Sequence, residues 1–416
     1  MIQNFEINSK QIDEIKKITT EEKNFRIKNL KLFNEVGFPH KRLEDWKFSD
    51  FKNIVYSNFD ELDTTSVTSN FNKIDLIKDF EHNYIFLVNG NLHSSNFNYE
   101  EKNKIKITPL DKGINYQLNK NPLVCLNHAL AKNGYSLEVD KNYKFKKVLV
   151  IYNVFTNDLK NKILNNKNKI KVNENSELHI IEYTVNNSKF GFINNAYENI
   201  ILEKNSKLKN LYIQKSKNDG FFHKFIKNNL FLNSDYTNLI FSAGPKFHKL
   251  DIECDLMAQN VKCNILSALF LNNNEHNEIK TRINHLDSNC KSYQRVKNVL
   301  NSNSKGIFQG KIYVKDIAQK TDAYQLSKAL LLTDSVEFNS KPELEIYADD
   351  VKCSHGSTSG SIDEESLHYL MTRGLNKKDS TKLLIKGFLN DVVEFIKNPS
   401  IKNFIETKLD QQINEN

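Results

Sequence analysis

The 416-residue chain is short of the residues that interrupt or crosslink a fold: 13 glycines, six prolines and five cysteines. So little glycine and proline excludes collagen-like and low-complexity classes. No apolar run approaches the ~18 residues that a membrane span requires, so no membrane association is expected. The five cysteines, at 125, 254, 263, 290 and 353, are odd in number, contain no CxxC and fit no zinc template. In a chain of this size they read as reduced thiols in a cytosol, not as a disulfide framework. The opening MIQNFEINSKQIDEIKK lacks an apolar core, so no secretory signal is expected and the location reads as cytoplasmic.

Arginine is scarce as well. Only five of the 59 basic residues are Arg (26, 42, 282, 295 and 373), while asparagine occurs 59 times. Lys and Asn share A-rich codons, so the +8 charge follows from composition. The lysines are scattered among Glu and Asp, unlike the clustered Arg and interleaved aromatics of a nucleic-acid footprint. They read as solvated surface, and no nucleic-acid partner is expected.

What is present divides into three parts, with boundaries at 1–140, 141–358 and 359–416. Residues 1 to about 60 read as helical, with Ile12, Ile15, Ile18, Phe25, Ile27, Leu30, Leu32 and Phe33 spaced between charges. Gly37-Phe-Pro39 breaks that run. Trp46, the only tryptophan, reads as a buried anchor near a domain junction. Residues 60–80 are polar and rich in Thr and Ser, hence a loop. YIFLVNGNLHSS (84–95) predicts a hairpin turning at Asn89-Gly90. NPLVCLNHALAKN (121–133) predicts a short helix ending before Gly134.

From about 145 to 355 the helical patterns fade. Short β-type runs such as VLVIYNVF, LHIIEYTV and TNLIFSA are separated by small polar breakers. One element returns: N175-S-E-L-H-I-I, N205-S-K-L-K-N-L and N233-S-D-Y-T-N-L, then looser copies from A258 and D287. The steps are 30, 28, 25 and 29 residues. Such a period marks a repeat architecture. Strand-only content points to a right-handed parallel β-helix flanked by helical regions. A β-sandwich is the competing fold, but it would carry more tight hairpin signals. A stack of coils leaves edges at its ends, so it needs caps or a partner.

The tail turns helical. Ser361-Ile-Asp-Glu364 has the form of a capping box before a helix that stops at Gly374. The next helix carries Leu383, Leu384, Phe388, Val392, Val393 and Ile396, read as one apolar stripe for packing on the solenoid or on a partner.

The sequence has no P-loop, GxGxxG, HExxH or GxSxG. Ten histidines (40, 82, 93, 128, 179, 223, 248, 276, 285 and 368) are scattered, each reading as surface or satisfied core. The remaining one stands in Cys353-Ser-His355-Gly356-Ser-Thr358, where the β pattern gives way to the capped helix. Cys353 and His355 are two apart, so on a strand both point to one face. A thiolate beside an imidazole suits iron, copper, zinc or an iron–sulfur cluster. Two ligands do not close a site, so a metal there needs residues from elsewhere or another chain. The alternative is a small buried Cys and a His that hydrogen-bonds the strand-to-helix corner. Cys263 and Cys290, 27 apart, read as an apolar stack on adjacent rungs.

The run VKCSHGSTSGSIDEESLHYLMTRGL resembles the C-terminal signature of the SufB/SufD family of the Suf iron–sulfur cluster assembly system. RLEDWKFSDFK around Trp46 and NGNLHSS near 90 are similar to that family's N-terminal motifs. LLLTDSVEFNS lacks the cysteine that B-type members carry in the preceding coil, and Gly356 replaces their Glu, so the resemblance is to the D type. Ser357 stands where the family usually has Ala. The resemblance implies a non-enzymatic scaffold or accessory subunit. It implies pairing with a SufB-type paralogue through the β-helices and docking of a SufC-type ABC ATPase by the helical tail. The usual assembly is one B, one D and two C subunits. Candidate docking residues are Leu383, Leu384, Phe388 and Val392. His355 would face the B subunit's cysteine, a metal ligand completed in trans, with Cys353 a weaker candidate beside it. A nascent iron–sulfur cluster is implied transiently in the complex, and no cofactor is expected on this chain alone. The family is linked to iron acquisition and its complex to reduced flavin, although no flavin motif is present here. Isolated, the chain is expected to be able to self-pair. Two other readings stand beside this one: a purely structural solenoid without a metal role, and a β-helix enzyme acting on polysaccharide.

Overall fold

A computed structural model describes residues 7, 9–13, 15, 18–64, 75–110, 119–215 and 220–414. The loop expected over 60–80 falls partly outside these, as do the first six residues. Strand makes up 46% against 23% helix, in a parallel β-solenoid of about eight turns with helices at both chain ends.

Two sheets form the walls. The ten-stranded sheet runs, in spatial order, Lys352–Ser361, Asp322–Leu331, Lys291–Leu300, Lys262–Leu271, Asp235–Ala243, Lys207–Lys215, Glu177–Asn186, Val148–Phe155, His82–Val88, Asn91–Asn96. The nine-stranded sheet runs Glu337–Ile346, Lys305–Val314, His276–His285, Phe247–Leu256, Gly220–Leu230, Phe192–Leu202, Ile163–Val172, Tyr135–Val139, Ile105–Pro109. From Tyr135–Val139 onward each chain step crosses from one sheet to the other, which is the coil the repeat predicts. The sheets begin before residue 141. The hairpin pairs Val88 with Asn91 through Asn89 (φ 48°) and Gly90 (φ 76°), and its first strand lies parallel to Val148–Phe155. Both turn residues lie in the left-handed region that such tight hairpins demand.

Coil corners explain the repeat. Asn142, Asn175, Asn205, Asn233, Asn260 and Asn289 all have φ between 57° and 60°. Asn tolerates this region better than other residues with a Cβ. Side-chain amides then form a ladder: Asn175 donates to Asn142 at 2.9 Å, Asn205 to Asn175 at 2.8 Å, Asn233 to Asn205 at 2.9 Å and Asn260 to Asn233 at 3.0 Å. The serine after three of them (176, 206, 234) is wholly buried. The frame of the looser copies therefore shifts by two residues, from Ala258 to Asn260 and from Asp287 to Asn289. The aligned steps become 30, 28, 27 and 29. The recurring element is the left-handed corner residue, which a match on residue types blurs.

Inside, side chains stack in columns. Val139, Val172, Leu202, Leu230, Leu256, His285 and Val314 occupy successive rungs of one, all 0% exposed. Each buried aliphatic contributes roughly 1.5–3 kcal/mol. Burial pushes His285 down to about 3, and its Nε2 lies 2.9 Å from Ser292 Oγ, so it fills its rung as a neutral ring. Cys263 is in register with Ser292, not with Cys290. Cys290 sits at the corner, its thiol 3.2 Å from the Ala258 carbonyl. Both thiols are buried, but they do not form the expected stack, because Cys290 precedes the strand by one residue.

Helices cover the two outer faces. The head contains α1 (Lys10–Asp13), α2 (Thr20–Val36), α3 (Phe51–Asn58) and α4 (Pro122–Leu130). It packs on Ile163, Ile193, Phe221 and Phe247 of the nine-stranded sheet. Trp46 is 0% exposed at this junction, with Lys249 Nζ 4.7 Å from its ring centroid. Lys249, itself fully buried, pairs with Glu278 and donates to the Asp45 carbonyl at 3.0 Å. The tail contains α5 (Glu364–Thr372), α6 (Lys377–Val393) and α7 (Pro399–Asn414). α6 and α7 pack on the opposite sheet, over Ile181, Leu211, Leu239 and Leu266. The tail thus uses the solenoid as its apolar partner.

The expected capping box is not formed. Ser361 still pairs with Leu331 in the last strand, so it is extended and two residues short of the helix. Asp363 caps α5 instead, accepting from the Ser366 amide at 2.8 Å. A carboxylate at this end also complements the helix dipole.

Candidate functional site at the open end of the solenoid

The coil formed by Glu337–Ile346 and Lys352–Ser361 is the last of the stack, and both strands are terminal in their sheets. Each has a hydrogen-bonded neighbour on one side only among the described residues, which leaves a row of backbone donors and acceptors open to another chain. Exposed apolar groups rim it: Tyr347 is 60% exposed, Ile317 55% and Ile346 37%. The Tyr347 ring is tilted against that of Tyr313, centroids 5.9 Å apart.

Register places the Cys-Ser-His corner. Cys353 pairs with Ala323, His355 with Gln325 and Ser357 with Ser327, and all three of those partners are buried. Cys353 and His355 therefore share the inward face, at the mouth of the solenoid. Cys353 is half-buried, against Ile312, Val314, Ala318 and Ala323. Burial pushes its thiol up, with Asp322 adding to the effect, so it rests as SH. His355 is exposed because no further rung covers it. The corner hydrogen bond that would have made His355 a structural residue is not formed: its ring has no hydrogen-bond partner among the described residues. Among those residues no group of three or more His, Cys, Asp or Glu could hold a metal. Chemically, the mouth offers one imidazole and one soft sulfur on an open β edge, two donors where a closed site needs about four.

The tail residues separate. Leu383 is 49% exposed and Leu384 half-buried. Phe388 lies half-buried under Lys297, whose Nζ is 4.6 Å from the ring centroid and donates to the Phe388 carbonyl at 2.6 Å. Val392 is 0% exposed in the chain's own core and so offers nothing to a partner. The buried stripe of α6 is Ile385, Leu389, Val392 and Val393. Leu383 belongs to the opposite side, because two positions along a helix turn a side chain through about 200°. Arg295 and Lys297 clamp Asp391 at 2.6 and 2.8 Å, fixing α6 to the sheet. Exposed Tyr369, Met371 and Leu375 lie in α5 and the turn after it. They follow no stripe, so periodicity does not single them out.

Fold and end geometry together define a class: a parallel β-solenoid, covered by helices on both outer faces, whose last coil presents an open edge. Residues 154–388 match the family model for the SUF system FeS cluster assembly SufBD core domain, and the chain belongs to that family. It is 24% identical to the iron-sulfur cluster assembly protein SufD of Escherichia coli over 392 residues, 91% of this chain and 90% of that one. It is 28% identical to the chloroplastic protein ABCI7 of Arabidopsis thaliana over 236 residues, 56% of this chain and 50% of that protein. SufD of Plasmodium berghei is 25% identical over 67% of this chain and 20% of its own length. Membership carries a role in iron–sulfur cluster assembly. No helix among the described residues is long and apolar enough to cross a membrane.

Proposed function

We propose that this chain is a D-type scaffold subunit, which pairs with a B-type paralogue through the open coil and docks an ABC-type ATPase on its helical tail. The observation that carries this reading is the open edge of the last coil. His355 and Cys353 stand on its inward side with too few ligands to hold iron alone, so a facing chain must complete the set. The nascent cluster is cargo here: iron and sulfide would be gathered between the two chains, with His355 as this chain's ligand. No reacting bond is broken by a group of this chain. Leu383, exposed like Tyr369 and Met371, is a side chain of the tail available to the ATPase.

Co-expression with the neighbouring subunits and capture on a tagged chain tests the pairing, and recovery of both a B-type paralogue and the ATPase is expected. His355→Ala is expected to leave capture intact and to lower the yield of cluster, read by visible absorption after anaerobic reconstitution of the complex. Capture of neither partner, or full cluster yield in His355→Ala, overturns the respective half.

A further inference from the structure

The inward face of the last coils carries polar atoms that the chain does not satisfy. Gln294, Gln325 and His355 stand in register along the solenoid. Gln325 is 1% exposed, yet neither its Oε1 nor its Nε2 has a hydrogen-bond partner among the described residues. One rung deeper, Gln294 Oε1 accepts from Thr281 Oγ1 at 2.5 Å, while its Nε2 is unpartnered. Ser327 and Ser340 also keep unpartnered hydroxyls. Leaving such a group buried and unpaired costs roughly 1–3 kcal/mol. An apolar side chain in place of Gln325 would avoid that cost, so stability does not explain the glutamine.

A second observation points to the same spot. Gly310 faces Gln325 from the other sheet, and a Cβ there would collide with Gln325 Oε1 and with the Phe308 ring. Its φ is not positive, so the glycine is there for room and not for conformation. The room admits an amide head directly beneath the mouth, where His355 also lacks a partner.

We infer that Gln325 is a positioning residue for His355. Its amide, through water in the polar lumen, holds one ring nitrogen inward and leaves the other facing the open end. Buried polar groups of this kind are ordinarily satisfied by ordered water. A hydrogen bond to one imidazole nitrogen selects the tautomer and frees the other for a ligand. The inference rests on the proposed function only for the use made of the outward nitrogen.

The test is carbethoxylation of the isolated full chain by diethyl pyrocarbonate, followed peptide by peptide by mass spectrometry from about pH 5 to about pH 8, the range over which imidazole titrates. The reagent attacks the unprotonated ring, so the profile reports both proton affinity and ring presentation. Gln325→Met keeps the volume and removes both amide atoms, and is expected to change the His355 rate at least about threefold or to move its midpoint. Exposed His368 serves as the internal reference and should not move. Gly310→Ala, which displaces the amide head without altering it, is expected to act in the same direction. A His355 profile in Gln325→Met that superimposes on wild type overturns the inference. A shifted profile with failed partner capture leaves the inference standing and removes the functional reading. Successful capture with an unshifted profile does the reverse.

Discussion

Lys224 donates to Glu182 at 2.6 Å inside the solenoid and stands 3.2 Å from Glu198, so one ammonium serves two carboxylates. Burial pushes Glu198 up to about 7 from an ordinary 4.5, helped by the negative charge of Glu182 and opposed by Lys224. A raised carboxyl binds its proton more tightly folded than unfolded. The penalty for ionising it is absent below about pH 4.5, grows through the interval and is complete above about pH 7. Glu198→Gln, which keeps shape and removes that ionisation together with one partner of Lys224, is expected to gain stability relative to wild type on going from about pH 5 to about pH 8. Denaturant melts of both proteins at the two pH values measure it, and an equal effect at both would refute the argument.

Lys167 presents the opposite case. It lies beneath the helical head with its Nζ 5.2 Å from the Tyr197 ring centroid and without a hydrogen-bond partner among the described residues. Burial, then the charge of Arg26, pushes the amine down to about 7 from 10.5. A depressed lysine costs stability wherever the unfolded chain holds the proton, fully below about pH 7 and no longer above about pH 10.5. Lys167→Met is therefore expected to raise stability by roughly 2–4 kcal/mol near pH 6.5. The difference should shrink steadily towards pH 10. Thermal midpoints across that range suffice, and a loss of stability at low pH would show that the amine has a partner.

Asn205 holds φ 57° at a coil corner, bonded to Asn175 on one side and accepting from Asn233 on the other. Asn205→Gly removes the ladder bonds but keeps the backbone. Asn205→Ala loses both, and a left-handed Cβ adds roughly 1–2 kcal/mol. Alanine is thus expected to destabilise more than glycine. If the order reverses in urea melts, the freedom that glycine adds to the unfolded chain outweighs strain at the corner.

These corners also show how far residue order alone carries the fold. The Asn-Ser copies at 175, 205 and 233 are legible because the same conformation selects the same residue. At 258 and 287 the frame slips, since only the left-handed position is held while its neighbours vary. Placing Cys353 and His355 on one face needs only the two-residue period of a strand. That this face is the inward one, above Gln325 and opposite Gly310, depends on a register some 30 residues away. Short-range pattern does not carry it. The apolar positions of α6 likewise do not say which side the sheet takes. Leu383 and Val392 fall into one group in the sequence for that reason, although the solenoid buries Val392 and leaves Leu383 outside.

That separation gives a test of the tail. Leu383 is 49% exposed and Val392 0%. Leu383→Glu places a charge on the free surface of α6, where a solvent-facing substitution changes stability by less than about 0.5 kcal/mol. Val392→Ala opens a cavity in the core shared by α6, α7 and the ten-stranded sheet, and should cost about 1–3 kcal/mol. If the ATPase docks on the exposed side, Leu383→Glu abolishes its capture at an unchanged melting temperature. Val392→Ala then lowers the melting temperature while capture persists below it. Measured side by side, the two variants distinguish a docking surface from a helix that only seals the sheet. Capture that survives Leu383→Glu at wild-type yield excludes this side of α6 as the contact.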